Sequence, residues 1–306
     1  MRVVSLGECM LEVKIQNYPQ ALFGFGGDTF NTAYYLTLLG IDCAYATALG
    51  TDKQSQWLLE QWNSLGIDTR LVRQIPDKSP GIYTIQTDRQ GERSFNYWRE
   101  NSAARSLLND FDLAVWLQHF EEVKLFYLSL ISVAVLAEQG RDNLLILLAA
   151  LQEREVHIAF DNNYRPALWQ DAQQALFWQQ QILPFVDTYL PSLEDEASLY
   201  SLNKADHEAL VQHFHALAVA NIVIKNGAQS CTILWEGHSK TLPTKNLMPV
   251  DSTAAGDSFN AGFLAAKLRG YDGEKAVKVG HDLASQVIMQ PGALVAKNNL
   301  ELALFP

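Results

Sequence analysis

Apolar residues recur along the chain in two alternating rhythms. Short β-like runs lie at 3–6, 43–48, 125–129, 157–161, 222–225 and 231–235. Between them, the stretches 28–39, 54–65, 143–154, 207–218, 256–268 and 273–289 place apolar residues at helical spacing. Strands alternating with helices predict an α/β fold with a mostly parallel central sheet flanked by helices on both faces. One region breaks this rhythm. Gly81-Ile82-Tyr83-Thr84-Ile85-Gln86-Thr87, then Asp88-Arg89-Gln90-Gly91, then Glu92-Arg93-Ser94-Phe95-Asn96-Tyr97-Trp98 alternates like a hairpin with a turn at its tip. No internal repeat, low-complexity tract or Pro/Gly-rich linker divides the chain, so a single domain over 1–306 is expected.

Composition narrows the classes of function. With 306 residues and 48% hydrophobic content, the chain can bury a large core. A net charge of −11 and the lack of any Lys/Arg run argue against a nucleic-acid partner or an anionic membrane surface. Any acidic ligand must then be met by a local basic cluster. Cys9, Cys43 and Cys231 are odd in number and widely spaced, which suggests buried thiols in a reducing compartment and no cysteine metal site. The first apolar run is too brief for a signal peptide, and the longest, 144–151, is well short of a membrane span. A cytoplasmic enzyme is the expectation.

The stretch with the most chemistry is Asp251-Ser252-Thr253-Ala254-Ala255-Gly256-Asp257-Ser258-Phe259. It places small residues and a carboxylate where a loop becomes an apolar-striped helix. A helix start leaves backbone N–H groups unpaired and carries partial positive charge, so it can hold a phosphate. Asp257 in the first turn is placed to take a proton from a hydroxyl attacking that phosphate. The alternative is a plain helix start, capped by Thr253 or Asp251, with Ala254, Ala255 and Gly256 as packing residues. Upstream, Gly24-Phe25-Gly26-Gly27-Asp28-Thr29-Phe30-Asn31-Thr32-Ala33 also opens a helix. Gly26 and Gly27 permit close backbone approach, and Asp28 and Asn31 offer short polar side chains to hydroxyls. Read alone, this segment is equally a tight turn with an N-cap. Neither a Walker-type phosphate loop nor a Rossmann glycine fingerprint occurs.

In this order, the two segments resemble the signatures of the ribokinase-like (PfkB-type) carbohydrate kinases, whose C-terminal signature runs Asp-Thr-x-Gly-Ala-Gly-Asp-x-Phe. The resemblance spans essentially the whole chain. Ser252 and Ala254 depart from it, and Ala254 replaces a glycine, which reduces the freedom of the loop. The resemblance implies a ribokinase-like fold with a small β-sheet lid, formed from about 13–25 and 71–99. It further implies ATP and Mg²⁺ as cofactors, Asp257 as base and the Ala254, Ala255 and Gly256 amides as an anion hole. Sugar contacts fall on Gly26, Gly27, Asp28 and Asn31, with Tyr83 and Tyr97 from the lid and Asp257 itself. Nucleotide contacts fall on Asn163, Arg165, Lys225, Gly227, Ser230, Ala254, Gly256 and His281. Without the resemblance, 225–230 is a strand-to-strand turn and His281 a packed surface histidine. Magnesium is usually organised by an Asn-x-x-Glu motif, replaced here by Ser192-Leu193-Glu194-Asp195, so Asp195 acting through waters is the expected contact. Some relatives also hold a monovalent cation near the positions of Asp251 and Thr253.

Within the family, Gly26-Gly27-Asp28-Thr29, Tyr97-Trp98-Arg99-Glu100-Asn101-Ser102-Ala103-Ala104 and Phe160-Asp161-Asn162-Asn163-Tyr164-Arg165-Pro166-Ala167-Leu168-Trp169 resemble the 2-keto-3-deoxygluconate kinases. Such a substrate brings a carboxylate, and Arg99 and Arg165 are the candidates to bind it. The alternatives are a solvated hairpin charge for Arg99 and a surface ion pair for Arg165. The expected reaction is ATP-dependent phosphorylation of the sugar acid at its 6-hydroxyl. A neutral-sugar kinase of fructokinase or ribokinase type, or a catalytically silent sugar-acid sensor, are the rival readings. An exposed lid edge suggests a homo-oligomer. The helix containing His207-Glu208-Ala209-Leu210-Val211-Gln212-His213 begins like a zinc-binding helix, but its histidines are wrongly spaced, and an exposed amphipathic helix is expected.

Overall fold

The computed structural model describes residues 2–87, 93–235 and 237–305. In chain order the strands are β1 (Val3–Leu6), β2 (Met10–Asn17), β3 (Gln20–Gly26), β4 (Cys43–Leu49), β5 (Val72–Gln74), β6 (Ile82–Thr87), β7 (Arg93–Trp98), β8 (Leu125–Ser129), β9 (His157–Asp161), β10 (Thr188–Tyr189), β11 (Asn221–Asn226), β12 (Ser230–Trp235) and β13 (His238–Pro243). The helices are α1 (Asp28–Leu38), α2 (Lys53–Ser64), α3 (Leu113–Leu117), α4 (Leu130–Val135), α5 (Glu138–Glu153), α6 (Ala172–Ile182), α7 (Leu193–Tyr200), α8 (His207–Ala216), α9 (Ala255–Leu268) and α10 (Gly273–Val287).

Nine strands form the main sheet in the order β13-β12-β11-β10-β9-β8-β1-β4-β5. From β5 through to β11 all neighbours run parallel, and β12 and β13 are antiparallel. Parallel strands must be covered on both faces, and β1, β4 and β8 are buried along their full length. Two apolar clusters lie on the two faces of this sheet. One gathers α1, α9 and α10, and the other gathers α4, α5 and α6. A second sheet of four strands, β3-β2-β6-β7, stands apart from the main one.

The main deviations from the expected elements have local causes. Residues 72–74, expected in the lid, pair with β4 at the edge of the main sheet, so the small sheet takes only the later part of 71–99. At the other end it takes more than 13–25, because β2 starts at Met10 and β3 ends at Gly26. The tip of the expected hairpin, 88–92, lies outside the described residues, while its arms pair antiparallel from Ile82↔Trp98 to Thr87↔Arg93. Helix α5 begins at Glu138, ahead of the expected 143, because its first turn is largely polar and gives no apolar period. The strands β10, only two residues long, and β13, mostly exposed, have no pattern to detect.

Two packing features set the position of the pocket. Helices α9 and α10 meet through glycines, since a Cβ on Gly262 would stand 2.9 Å from the Gly280 Cα. The short helix α4 leaves β8 under a Ser129/Ser132 capping box and is held at its far end by Arg141. The Arg141 guanidinium donates to the carbonyls of Val133 and Ala134 at 2.9 Å each and lies 5.2 and 5.5 Å from the rings of Trp169 and Trp178. Two charge-assisted hydrogen bonds and two cation–π contacts close the C-terminal end of α4, where carbonyls have no helical partner. Replacing Arg141 by Ala is expected to lower the unfolding free energy by about 2–4 kcal/mol, read as a lower urea midpoint at unchanged m-value.

Candidate active site

The C-terminal ends of the parallel strands and the start of α9 open into one cavity of about 990 Å³, roofed by the small sheet. An open α/β sheet places its ligand site at this edge, because the strand-to-helix loops meet there. Every residue expected at the site lines this cavity except Asp251, which lies beside it.

At its centre is Asp257, in the first turn of α9. Asn31 Nδ2 donates to Asp257 Oδ2 at 2.8 Å, and Thr32 Oγ1 to the Asp257 carbonyl at 3.3 Å, so α1 and α9 are joined at this residue. Burial, followed by the nearby carboxylate of Asp28, pushes the Asp257 carboxyl up from 3.8 to about 8, against the opposing pull of Asn31 and Lys225. Once ionised, a carboxylate whose pKa is raised to that range is a stronger base than an ordinary one, which suits it to take a proton from a hydroxyl. The side-chain oxygen of Asn31, Oδ1, is buried without a partner and faces Gly26, at 3.6 Å from where a Cβ would stand. Gly27 is needed for close approach, since a Cβ there would stand 2.1 Å from the Glu8 carbonyl oxygen. Asp28 accepts from Asn163 Nδ2 at 2.9 Å, which ties the glycine segment to the end of β9.

The start of α9 is open. Its N-cap is Ala254, with a left-handed φ of 61°, and no side chain caps the helix. This is the position where the family pattern has glycine, so the chain keeps the glycine conformation at a cost of about 1–2 kcal/mol. The Ala255 amide is already bonded to the Ser252 carbonyl at 3.2 Å, which removes one of the three expected anion-hole donors. Among the described residues, no acceptor meets the amides of Gly256 or Asp257. Of the three expected donors only the Ala255 amide is thus committed, since the Ala254 amide likewise has no backbone acceptor, and the Asp257 amide adds an unbonded donor beside that of Gly256. Lys225 Nζ stands 3.8 Å from a Cβ placed on Gly256 and is itself held by Asp161 and Asn260 at 3.1 Å each. Asn260 also donates to Asp161 at 2.7 Å and to the Tyr127 hydroxyl at 3.0 Å.

Two arginine expectations change. Arg99 is neither a solvated charge nor a free cation, because it forms an ion pair with Glu8, whose side chain is 1% exposed. Arg165 forms the surface ion pair given as its alternative, reaching Asp195 at 3.2 Å, so the carboxylate expected near magnesium already has a cation beside it. Ser192 caps α7 by accepting from the Asp195 amide at 3.0 Å, which commits the side chain that replaces the motif's asparagine. Asp251 is a loop clasp: one oxygen accepts from the Thr253 amide and hydroxyl, the other from the Gly292 amide at 2.6 Å. Tyr83 donates to Glu12 at 2.6 Å and stacks with Tyr97, which stacks in turn with Phe95. Gly227 takes a left-handed φ of 52° in the turn from β11 to β12, with Ser230 at its far side. His281 packs against the Phe259 ring, and burial keeps its pKa below the usual value.

Sequence reasoning gave no role to Glu8, Asp161 or Asn260: Glu8 and Asn260 are polar residues among apolar ones with no motif of their own, and Asp161 lies in a quoted segment without being singled out. The α8 expectation also needs correcting. His213 faces inward and contacts the buried Glu196 at 2.7 Å.

The model of the pfkB family carbohydrate kinases matches residues 2–299. The chain belongs to that family. Among its relatives, the 2-dehydro-3-deoxygluconokinase of Dickeya dadantii (strain 3937) is 37% identical over 96% of both chains. The enzyme of the same name from Escherichia coli (strain K12) is 36% identical over 97% of both. A crystal structure of 2-dehydro-3-deoxygluconokinase from Thermotoga maritima superimposes on this carbohydrate kinase with a TM-score of 0.85. It covers 98% of this chain and 96% of that one at 20% identity, which shows the shared fold.

The burial of Asp257 has a measurable consequence. Its pKa is about 8 in the folded protein against 3.8 for the free side chain, so between those values the folded state holds a proton that the unfolded chain has lost. Folding stability therefore falls as pH rises across that window. Asp257→Asn cannot ionise. Its unfolding midpoint is expected to match wild type near pH 4 and to exceed it by a growing margin up to about pH 8 in paired denaturation series.

Outside its own helical turn, a Cβ on Gly256 meets nothing closer than Lys225 Nζ at 3.8 Å, so packing against the rest of the chain does not require glycine there. Gly256→Val is expected to keep a wild-type melting profile within about 1 kcal/mol of stability while obstructing the anion position. Turnover falling together with stability would contradict this reading.

Proposed function

We propose that this family member is a 2-dehydro-3-deoxygluconokinase, transferring the terminal phosphoryl group of ATP to the 6-hydroxyl of 2-keto-3-deoxygluconate. The observation that carries the reading is the pairing of a buried Asp257 with two unbonded helix-start amides in one cavity. The high identity to enzymes of that name across several species selects this substrate over a neutral sugar. It also disfavours a silent sensor, since the acid and the anion-binding amides are both intact.

In this mechanism the 6-hydroxyl loses its proton to Asp257 as its oxygen bonds to the γ-phosphorus, and the bond from phosphorus to the ADP oxygen breaks. The Gly256 and Asp257 amides and Lys225 meet the charge that develops on the transferred group. Asn31 holds the Asp257 carboxylate in place and offers its free Oδ1 to the sugar. The small sheet acts as the lid that excludes water, with Tyr83 and Tyr97 facing the sugar. Among the described residues no cluster of three or more acidic, His or Cys side chains could hold a metal alone. Asp195 in the cavity wall fits a magnesium ion whose other ligands are waters and phosphate oxygens, the usual arrangement for this ion. Bound there, Mg²⁺ would screen the phosphate charge. The substrate carboxylate is assigned to Arg165 and Arg99, the guanidinium groups lining the same cavity.

The decisive assay measures ADP release with the keto acid, with fructose and with ribose. The keto acid is expected to have the highest kcat/KM, and a neutral sugar ahead of it would replace this reading. Asp257→Asn should lower kcat by about 10²–10⁴-fold with little change in KM. Arg165→Ala should lower kcat/KM for the keto acid about 10–150-fold while sparing a neutral analogue. Arg99→Ala would also leave Glu8 without its cation, so its loss of activity is expected to come with a lower melting temperature.

A further inference from the structure

Behind the cavity wall lies a buried polar network that the proposed mechanism does not use. Its hub is Glu196, fully buried in α7. The carboxylate receives the Asn162 amide at 2.8 Å, the Tyr189 hydroxyl at 2.6 Å, His213 Nε2 at 2.7 Å and the Gln179 amide at 3.5 Å. These donors come from the loop after β9, from β10, from α8 and from α6. Asn162 is itself fully buried, and its other side-chain atom, Oδ1, accepts from the Ser192 amide at 3.0 Å.

Both neighbours of Asn162 face the cavity. Asp161 holds Lys225, and Asn163 holds Asp28. On the far side of the bond, Ser192 caps the helix that carries Asp195 and pairs with Lys225 along the sheet. Asn162 thus joins the end of β9, which carries Asn163 and the Lys225 partner Asp161, to the turn that carries Asp195.

A buried ion pair is weak evidence for stability, since apolar side chains of similar volume hold helices together as well or better. An apolar side chain could not orient the Asn162 amide. A carboxylate can accept only, so it draws the NH₂ group toward itself and turns the oxygen to the Ser192 amide. We infer that Glu196, held by His213, is a positioning residue for the nucleotide end of the site: it acts through Asn162 to set the Ser192–Asp195 turn against Lys225. This rests on the assignment of that end of the cavity to the nucleotide.

The test compares Glu196→Gln, Asn162→Ala, His213→Leu and His213→Gln in two measurements. The first is Mg·ADP binding by titration calorimetry, and the second is KM for ATP against KM for the keto acid. Glu196→Gln, Asn162→Ala and His213→Leu are expected to weaken Mg·ADP binding about tenfold or more and to raise the ATP KM, with the keto-acid KM within about twofold of wild type. His213→Gln keeps a donor for Glu196 and is expected to stay within about threefold of wild type. Should Glu196→Gln fail to fold, Asn162→Ala decides, because it leaves Glu196 with three of its donors. Folded variants that bind Mg·ADP as wild type does would overturn the inference alone, as would equal losses for nucleotide and keto acid, the mark of general loosening. Wild-type protein that does not bind Mg·ADP overturns the nucleotide assignment and this inference together.

Discussion

The structure is organised around a helix start that must stay uncapped next to a carboxylate that must stay buried. Most helices of this chain close their first turn with a side chain, as Asp52, Asp171, Ser192 and Asp272 do for α2, α6, α7 and α10. Helix α9 does not, and its N-cap is an alanine in left-handed conformation. Both features cost stability, and both leave backbone donors free for a ligand. Asp257 adds a third cost, since its neighbours Asp28 and Asp161 carry charge of its own sign. The surrounding packing offsets these costs. Asn31 and Thr32 of α1 bind the side chain and carbonyl of Asp257, while α10 locks against α9 at Gly262 and Gly280.

Charge in the cavity follows a second constraint. Its described lysines and arginines each have a carboxylate: Arg99 with Glu8, Arg165 with Asp195, Lys225 with Asp161 and Lys245 with Asp282. A chain of net charge −11 can supply such partners everywhere. An isolated buried cation would be costly, and pairing offsets that cost for Arg99 and Lys225, whereas Arg165 and Lys245 are largely exposed. Anionic ligands must then share these cations with their resident carboxylates. Recognition becomes a redistribution of existing pairs, which favours a ligand with charge placed to reach several of them at once.

The polar residues beneath the cavity extend this logic inward. Asn260, Tyr127 and Asp161 hold Lys225 from below, and Asn162, Glu196 and His213 hold the neighbouring turn. Fully satisfied networks of this kind fix one arrangement of the groups above them, because in a low-dielectric interior every alternative leaves a donor or acceptor unpaired.

Much of this was legible in the chain itself. The alternation of apolar runs located most parallel strands and the helices α1, α2, α8, α9 and α10 to within about two residues, while α5 starts five residues earlier than expected and α3, α4, α6 and α7 were not anticipated. Strand and helix periods follow from backbone geometry and need no knowledge of neighbours. The glycine-rich segment and the 251–259 stretch could be read for the same reason: glycines, small residues and first-turn carboxylates act through their own backbone. What only the tertiary structure decided is how the charged side chains are spent. Arg99 looked like a free cation until Glu8, in the loop between β1 and β2, was brought against it. Asp195 looked like an unpaired carboxylate until Arg165 reached it, and His213 looked exposed until α8 turned it onto Glu196. The strand Val72–Gln74 was assigned to the lid until β4 claimed it. In each case the partner lies far away in sequence or in a separate element, and Coulomb and hydrogen-bond energies depend on distances that no local pattern encodes.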